Sequence, residues 1–99
     1  MDKNIKIDFF LLKKTAIILR ALNHLLRQQI FNLLEENGKM TVSEIYGRLR
    51  LEQSVASQHL AIMRRAGIVK TERDGKFIHY TINPERIGDI MKTVHLLLV

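Results

Sequence analysis

Cysteine is absent from the sequence, which excludes disulfides, thiolate metal sites and thiol redox switches together. Proline occurs once and glycine five times, so the chain has few natural breaks and reads as mostly regular elements. Long apolar runs are missing too. The most apolar stretch, Phe9 to Leu22, is interrupted by Lys13, Lys14 and Arg20. It falls short of the roughly 18 uninterrupted apolar residues that span a bilayer. It also lacks the continuous core and small-residue cleavage site of a secretory signal, and Asp2 and Asp8 argue against a transit peptide. The expectation is a cytoplasmic protein without a membrane partner. Catalytic patterns are equally scarce. No glycine-rich phosphate loop follows a strand, and neither a nucleophile elbow nor a zinc-protease spacing occurs. Glu35 and Glu36 are adjacent, so on a helix their side chains diverge and cannot flank one substrate bond. Neither an enzyme nor a cofactor is expected.

Acidic residues are the scarcer charge. Ten Asp and Glu stand against sixteen Lys and Arg, giving a formal +6 and a pI near 10.0. That excess suits a polyanion, either nucleic acid or a membrane surface. The 99 residues, 46% hydrophobic and 26% charged, make one small globular domain. A domain this small buries only roughly two-thirds of its unfolded surface, so burial against a partner would add stability.

Apolar spacing predicts a mainly α chain with one β-hairpin. A first helix over Ile5 to about Ala21 carries Ile5, Phe9, Leu12, Ala16 and Leu19 beside Phe10, Ile17 and Ile18. That exceeds one stripe, so more than one face is expected to be covered. A second helix, from about Asn23 to Glu36, presents Leu26, Ile30, Leu33 and Leu34 and stops at Asn37-Gly38. Thr41-Val-Ser-Glu44 has the capping-box pattern, opening a third helix that turns Val42, Ile45 and Leu49 inward. A fourth helix, Gln53 to Arg65, buries Ala56, Leu60 and Met63 and closes at Ala66-Gly67. The period then changes to two. Ile68 to Glu72 and Phe77 to Ile82 read as strands joined by Arg73-Asp74-Gly75-Lys76, and Asp-Gly is a strong hairpin signal. Pro84 suits the first turn of a last helix from Glu85 onward, lined by Ile87, Ile90, Met91, Val94 and Leu97.

Two short helices joined by a tight turn and followed by a basic hairpin describe a winged helix-turn-helix. The second helix of such a pair fits the major groove of duplex DNA, and the hairpin reaches the flanking backbone or minor groove. Its outer side would hold Gln53, Ser54, Ser57, Gln58 and Ala61. Small residues permit close approach, and glutamine can hydrogen-bond base edges. Between Arg48 and Lys76 lie seven basic and three acidic residues, a local +4 of the total +6. Arg64 and Arg65 at the helix end, and Arg73 and Lys76 at the hairpin turn, are candidate phosphate contacts. His59 borders the same arc, where it serves either as a phosphate donor or as a partly buried structural side chain. Lys3, Lys6, Lys13, Lys14 and Arg20 form a second basic region.

Leu51-Glu-Gln-Ser-Val-Ala-Ser-Gln-His-Leu60 and Met63-Arg-Arg-Ala-Gly-Ile-Val69 resemble the recognition-helix signature of the ArsR/SmtB family. Arg73-Asp-Gly-Lys-Phe-Ile-His-Tyr80 resembles that family's wing, and Leu22-Asn-His-Leu-Leu-Arg27 with Val42-Ser-Glu-Ile45 its two preceding helices. The resemblance spans roughly Leu22 to Ile82. It implies a homodimeric transcription repressor that binds inverted-repeat operators, with dimer contacts from the first and last helices. On this chain those are Phe9, Leu12, Ala16 and Leu19, and Ile90, Met91, Val94 and Leu97. Independently, the first helix is too apolar for one face, and Leu96 to Val99 are four consecutive apolar residues.

The chain departs from the family at its sensor positions. Thr41 stands where the third-helix metal site would carry a thiol. Pro84, Arg86 and Leu97 replace the ligands of the last-helix site. No metal is therefore expected at either, and His24 and His95 stand at unrelated spacings that are weak evidence for one elsewhere. Glu52 replaces a small hydroxyl cap; it suits the helix dipole but is a weaker N-cap and repels phosphate. The inducing signal is left open between an organic ligand, a partner protein and expression level alone. Two rival readings stand beside DNA binding: a winged helix that binds protein or RNA, and a basic amphipathic membrane binder using residues 3 to 20.

Overall fold

The computed structural model describes residues 5–99. Helix α1 spans Phe9–Leu22, and Asp8 caps it by accepting from the Leu11 N–H at 3.1 Å. The apolar spacing from Ile5 extends too far upstream: residues 5–8 are not helical, because the capping aspartate fixes the start after them. Lys3 of the second basic region lies outside the described residues. Helix α2 spans Leu25–Asn37, two residues later than the spacing suggests, because His24 is its N-cap and its Nδ1 accepts from the Leu26 N–H at 3.1 Å.

A short strand, β1 (Lys39–Thr41), follows the left-handed Gly38. Helix α3 spans Val42–Leu49 and α4 spans Gln53–Arg65. Strands β2 (Val69–Asp74) and β3 (Phe77–Ile82) form the hairpin, and α5 runs over Pro84–Leu98 with Pro84 in its first turn. The expected hairpin is thus part of a three-stranded antiparallel sheet in the order β1-β3-β2. Met40 pairs with Tyr80, and Thr71 pairs with the same residue from the other side.

The core sits where α2, α3 and α4 meet the base of the sheet. Ile30, Leu34, Ile45, Leu60, Met63 and Ile68 are fully buried there. At about 25 cal/mol per Å² of apolar surface, these side chains supply the main drive for folding. The far end of the hairpin leaves the core. Phe77 and Ile78 are both exposed, so alternation fails there, with no second layer beyond Tyr80 to bury one face. His79 is half-buried opposite Thr41 and Glu72, with its Nδ1 enclosed and unpartnered among the described residues.

Both ends of the molecule project. Phe9 is 69% exposed on α1 and Leu97 72% on α5, and the chain measures 57 × 25 × 22 Å. Its radius of gyration is 16.0 Å, against about 13 Å for a compact domain of 100 residues.

Candidate nucleic-acid interface

The helix-turn-helix is built from local chemistry. At the start of α3, the Thr41 hydroxyl accepts from the Glu44 N–H at 3.3 Å, and the Glu44 carboxylate accepts from the Thr41 N–H at 3.1 Å. The box is closed by the Thr41 hydroxyl donating to the same carboxylate at 3.0 Å. The Thr41 backbone N–H, then its hydroxyl, holds the Glu44 carboxyl below its ordinary value. The helix ends in a Schellman arrangement: the Leu51 N–H reaches the Tyr46 carbonyl at 2.9 Å, and the Arg50 N–H reaches that of Gly47 at 3.4 Å. Arg50 sits there in the left-handed region at φ 54, ψ 46, a position where glycine is usual. The chain therefore turns sharply into α4.

Helix α4 begins without a side-chain cap. Glu52 occupies the N-cap with extended backbone but makes no capping hydrogen bond. At 100° per residue, Gln53, Ser54, Ser57, Gln58, Ala61, Arg64 and Arg65 fall within an arc of about 140°. All seven are exposed. Val55, Ala56, His59, Leu60, Ile62 and Met63 occupy the rest of the circumference and are all buried or half-buried. The polar arc and the core face do not mix.

His59 belongs to the inner arc. The buried Arg27 guanidinium brings Nη1 to 3.2 Å from His59 Nδ1. A guanidinium only donates, so Nδ1 must accept and the neutral ring carries its proton on Nε2. The His24 ring lies 4.8 Å away, centroid to centroid. Burial, then His24, then Arg27 hold the His59 imidazole below the ordinary histidine value. Arg27 also donates from Nε to the Ala21 carbonyl at 2.6 Å and from Nη2 to that of Arg20 at 3.3 Å. It thereby satisfies the carbonyl end of α1, where the helix dipole favours a cation. Sequence reasoning quotes Arg27 only as part of a motif. Its burial has no local signal.

In the hairpin, Asp74 pairs with Phe77, leaving Gly75 and Lys76 as the two turn residues. Gly75 has φ +62 and Lys76 does not share it, the pattern of a type II′ turn with glycine first. Arg73 Nε donates to the Gly75 carbonyl at 3.2 Å, bracing the tip, and Lys76 Nζ lies 5.5 Å from the Phe77 ring centroid. Arg73 and Lys76 are exposed beside each other at the tip.

The dimer candidates divide. Phe9, Leu12, Met91 and Leu97 are exposed; Ala16, Leu19 and Val94 are half-buried. Ile90 is 6% exposed and packs in the chain's own core. Among the described residues no three His, Asp or Glu side chains gather as metal ligands would. None of the described helices is long and apolar enough to cross a membrane.

Comparison with known proteins places this arrangement. Residues 26–71, which hold α2 from its second residue, β1, the helix-turn-helix and the start of β2, match the model of the bacterial regulatory protein arsR family. The transcriptional activator HlyU of Vibrio cholerae is 34% identical over 84 residues, covering 85% of this chain and 77% of HlyU. The transcriptional repressor PagR of Bacillus anthracis is 34% identical over 90 residues, 91% of this chain and 90% of PagR. The solution structure of a homodimeric winged helix-turn-helix DNA-binding domain from Mycobacterium bovis superposes with a TM-score of 0.77. It is 26% identical and covers 99% of this chain and 90% of its own. The sequence match, the five helices and the winged sheet together make this chain a member of the ArsR family of regulatory proteins.

Proposed function

We propose that the chain is a homodimeric, sequence-specific DNA-binding transcriptional regulator that represses by occluding a promoter. One observation carries the reading: the outer arc of α4 is wholly polar, small or basic, and every residue on it is exposed. In the proposed complex Gln53, Ser54, Ser57 and Gln58 read base edges in the major groove. Arg64 and Arg65, with Arg73 and Lys76 at the wing tip, hold phosphates and supply salt-dependent affinity. His59 is turned toward Arg27 and is left out of the base-reading set. A protein-binding winged helix would instead present apolar side chains on this arc.

The dimer has its own support. Phe9, Leu12, Met91 and Leu97 are exposed at the two projecting ends, and the molecule is longer than a compact monomer of its size. A second copy would cover both, and the Mycobacterium bovis neighbour is described as homodimeric. Two-fold symmetry would set the recognition helices about 34 Å apart, one turn of duplex, and so call for an inverted repeat.

Selection of bound duplex from a random pool tests the proposal, with sedimentation of the protein alone beside it. Expected are an inverted repeat with half-sites one helical turn apart and a species of twice 11.5 kDa. No enrichment over random duplex would overturn the DNA reading. An activator and a repressor match this chain at the same 34% identity, so the sign of regulation needs a reporter. Repression predicts higher expression from the selected site when the protein is removed.

A further inference from the structure

Helix α1 and the second half of α4 enclose a groove of about 530 Å³, within the roughly 300–1,000 Å³ of small-molecule sites. Ile17, Ile18, Ile62 and Ala66 make its apolar floor, and Lys14 and Arg65 stand on its walls. Among the described residues no carboxylate lines it. Lys14 Nζ lies 4.9 Å from the ring centroid of Phe10, one turn earlier on α1. We propose that this groove binds an amphipathic anion, a free single-chain carboxylate, with its tail along the isoleucines and its head between Lys14 and Arg65.

Two other cavities lack this combination. The space between α2, β3 and α5 is of similar size, about 570 Å³, but has Glu35 on its wall and no cation among the described residues. The one between α1 and α5 measures about 140 Å³, too small for such a tail, and carries Asp89 beside Arg86. Position matters as much as chemistry. At 100° per residue, Lys14, Ile17 and Ala21 lie on the side of α1 opposite Leu12 and Leu19, the proposed dimer face. The groove thus stays open when a second copy covers that face. It also borders the outer arc of α4 through Arg65. A carboxylate that pairs with the Arg65 guanidinium competes with phosphate for the same donors. This coupling to DNA, unlike the binding itself, rests on the proposed function.

The test is calorimetric titration of the full chain with decanoate below its micellar range, with decanol as the uncharged counterpart. Decanoate is expected to bind at least tenfold more tightly than decanol. Lys14→Gln should weaken decanoate about fivefold and leave decanol unchanged, while Ile17→Asp should weaken both with the thermal melt unaltered. Equal affinity for acid and alcohol would overturn the proposal. So would sedimentation with phosphatidylglycerol vesicles without uptake of free decanoate, which would assign the surface to a membrane. Binding to the dilute monomer but not to the dimer would assign the groove to a second copy and equally overturn it. Where binding is established, saturating decanoate should lower affinity for the selected DNA about tenfold. Unmoved DNA affinity would overturn the coupling, and failure of the DNA selection alone would leave the calorimetric result standing.

Discussion

The two helices of the helix-turn-helix begin in opposite ways. At α3 the Thr41–Glu44 box closes on itself, with hydroxyl, carboxylate and both backbone N–H groups engaged. At α4 the N-cap is Glu52, whose side chain engages none of them. An uncapped first turn leaves orphan N–H donors and a partial positive charge pointing outward. That is a liability for an isolated helix and an anion site for one that meets phosphate. In the proposed complex the difference would divide the labour: α3 is sealed to hold position, and α4 is open at the end that would lead into the groove. The carboxylate of Glu52 stands against that use, so its replacement separates the effect of the open donors from that of the charge.

The largest expected effect is on the open helix. Gln53→Ala combined with Ser57→Ala should lower discrimination between the selected operator and random duplex by about 1–3 kcal/mol, roughly ten- to a hundredfold. Non-specific affinity at low salt should hold, because the basic residues are untouched. Competition titrations at two salt concentrations measure both. Equal loss on both DNAs would mean that the arc only positions the protein.

Glu52→Thr comes next, converting the open start into a sealed one. It should add about 1 kcal/mol to stability, read from the urea midpoint, because a hydroxyl can accept from the first-turn N–H groups. DNA affinity should rise severalfold as the repulsion from phosphate is removed. Higher stability with weaker DNA binding would show instead that the free donors matter more than the lost charge. Thr41→Ala is the converse. It should destabilise by about 1 kcal/mol and leave operator discrimination unchanged, since α3 supports but does not read.

What the sequence reveals follows the same division between local and distant causes. The capping box, the bounds of α4 and the place of Pro84 were legible because each depends on residues within one turn of one another. The inner and outer arcs of α4 were legible from its spacing except at His59, which borders both and is settled on the inner one only by the distant Arg27. Strand β1 was not: three residues carry no period, and Lys39–Thr41 become a strand only by pairing with Thr81, Tyr80 and His79, some forty residues on. The burial of Arg27 was not legible either, because it depends on the carbonyl end of α1 folding back over it. The left-handed Arg50 is hidden because glycine, the usual signal, is missing. Along α1, apolar spacing from Ile5 overrode the capping signal of Asp8 that sets the true start.

The smallest expected effect concerns what holds α4 still while its outer arc works. Burial, then His24, then Arg27 hold the His59 ring neutral and its titration below the ordinary value of 6.5, and the neutral ring accepts from Arg27. From about a unit above 6.5 upward, folded and unfolded chains both hold this ring neutral, so it contributes no pH dependence there. As pH falls below 6.5, the unfolded chain takes up the proton first and the folded state loses stability until its own lowered value is reached. Urea midpoints should therefore fall between pH 7.5 and 5.5 in the natural chain. The fall should be shallower in His59→Gln, which can still accept from Arg27 but does not titrate. Parallel curves would remove His59 from the account. At pH 7.5 the same variant should bind the operator as the natural chain does, since the ring faces Arg27 and not the outer arc. A uniform loss of affinity on all DNAs would return His59 to the phosphate contacts and blur the line between the two arcs.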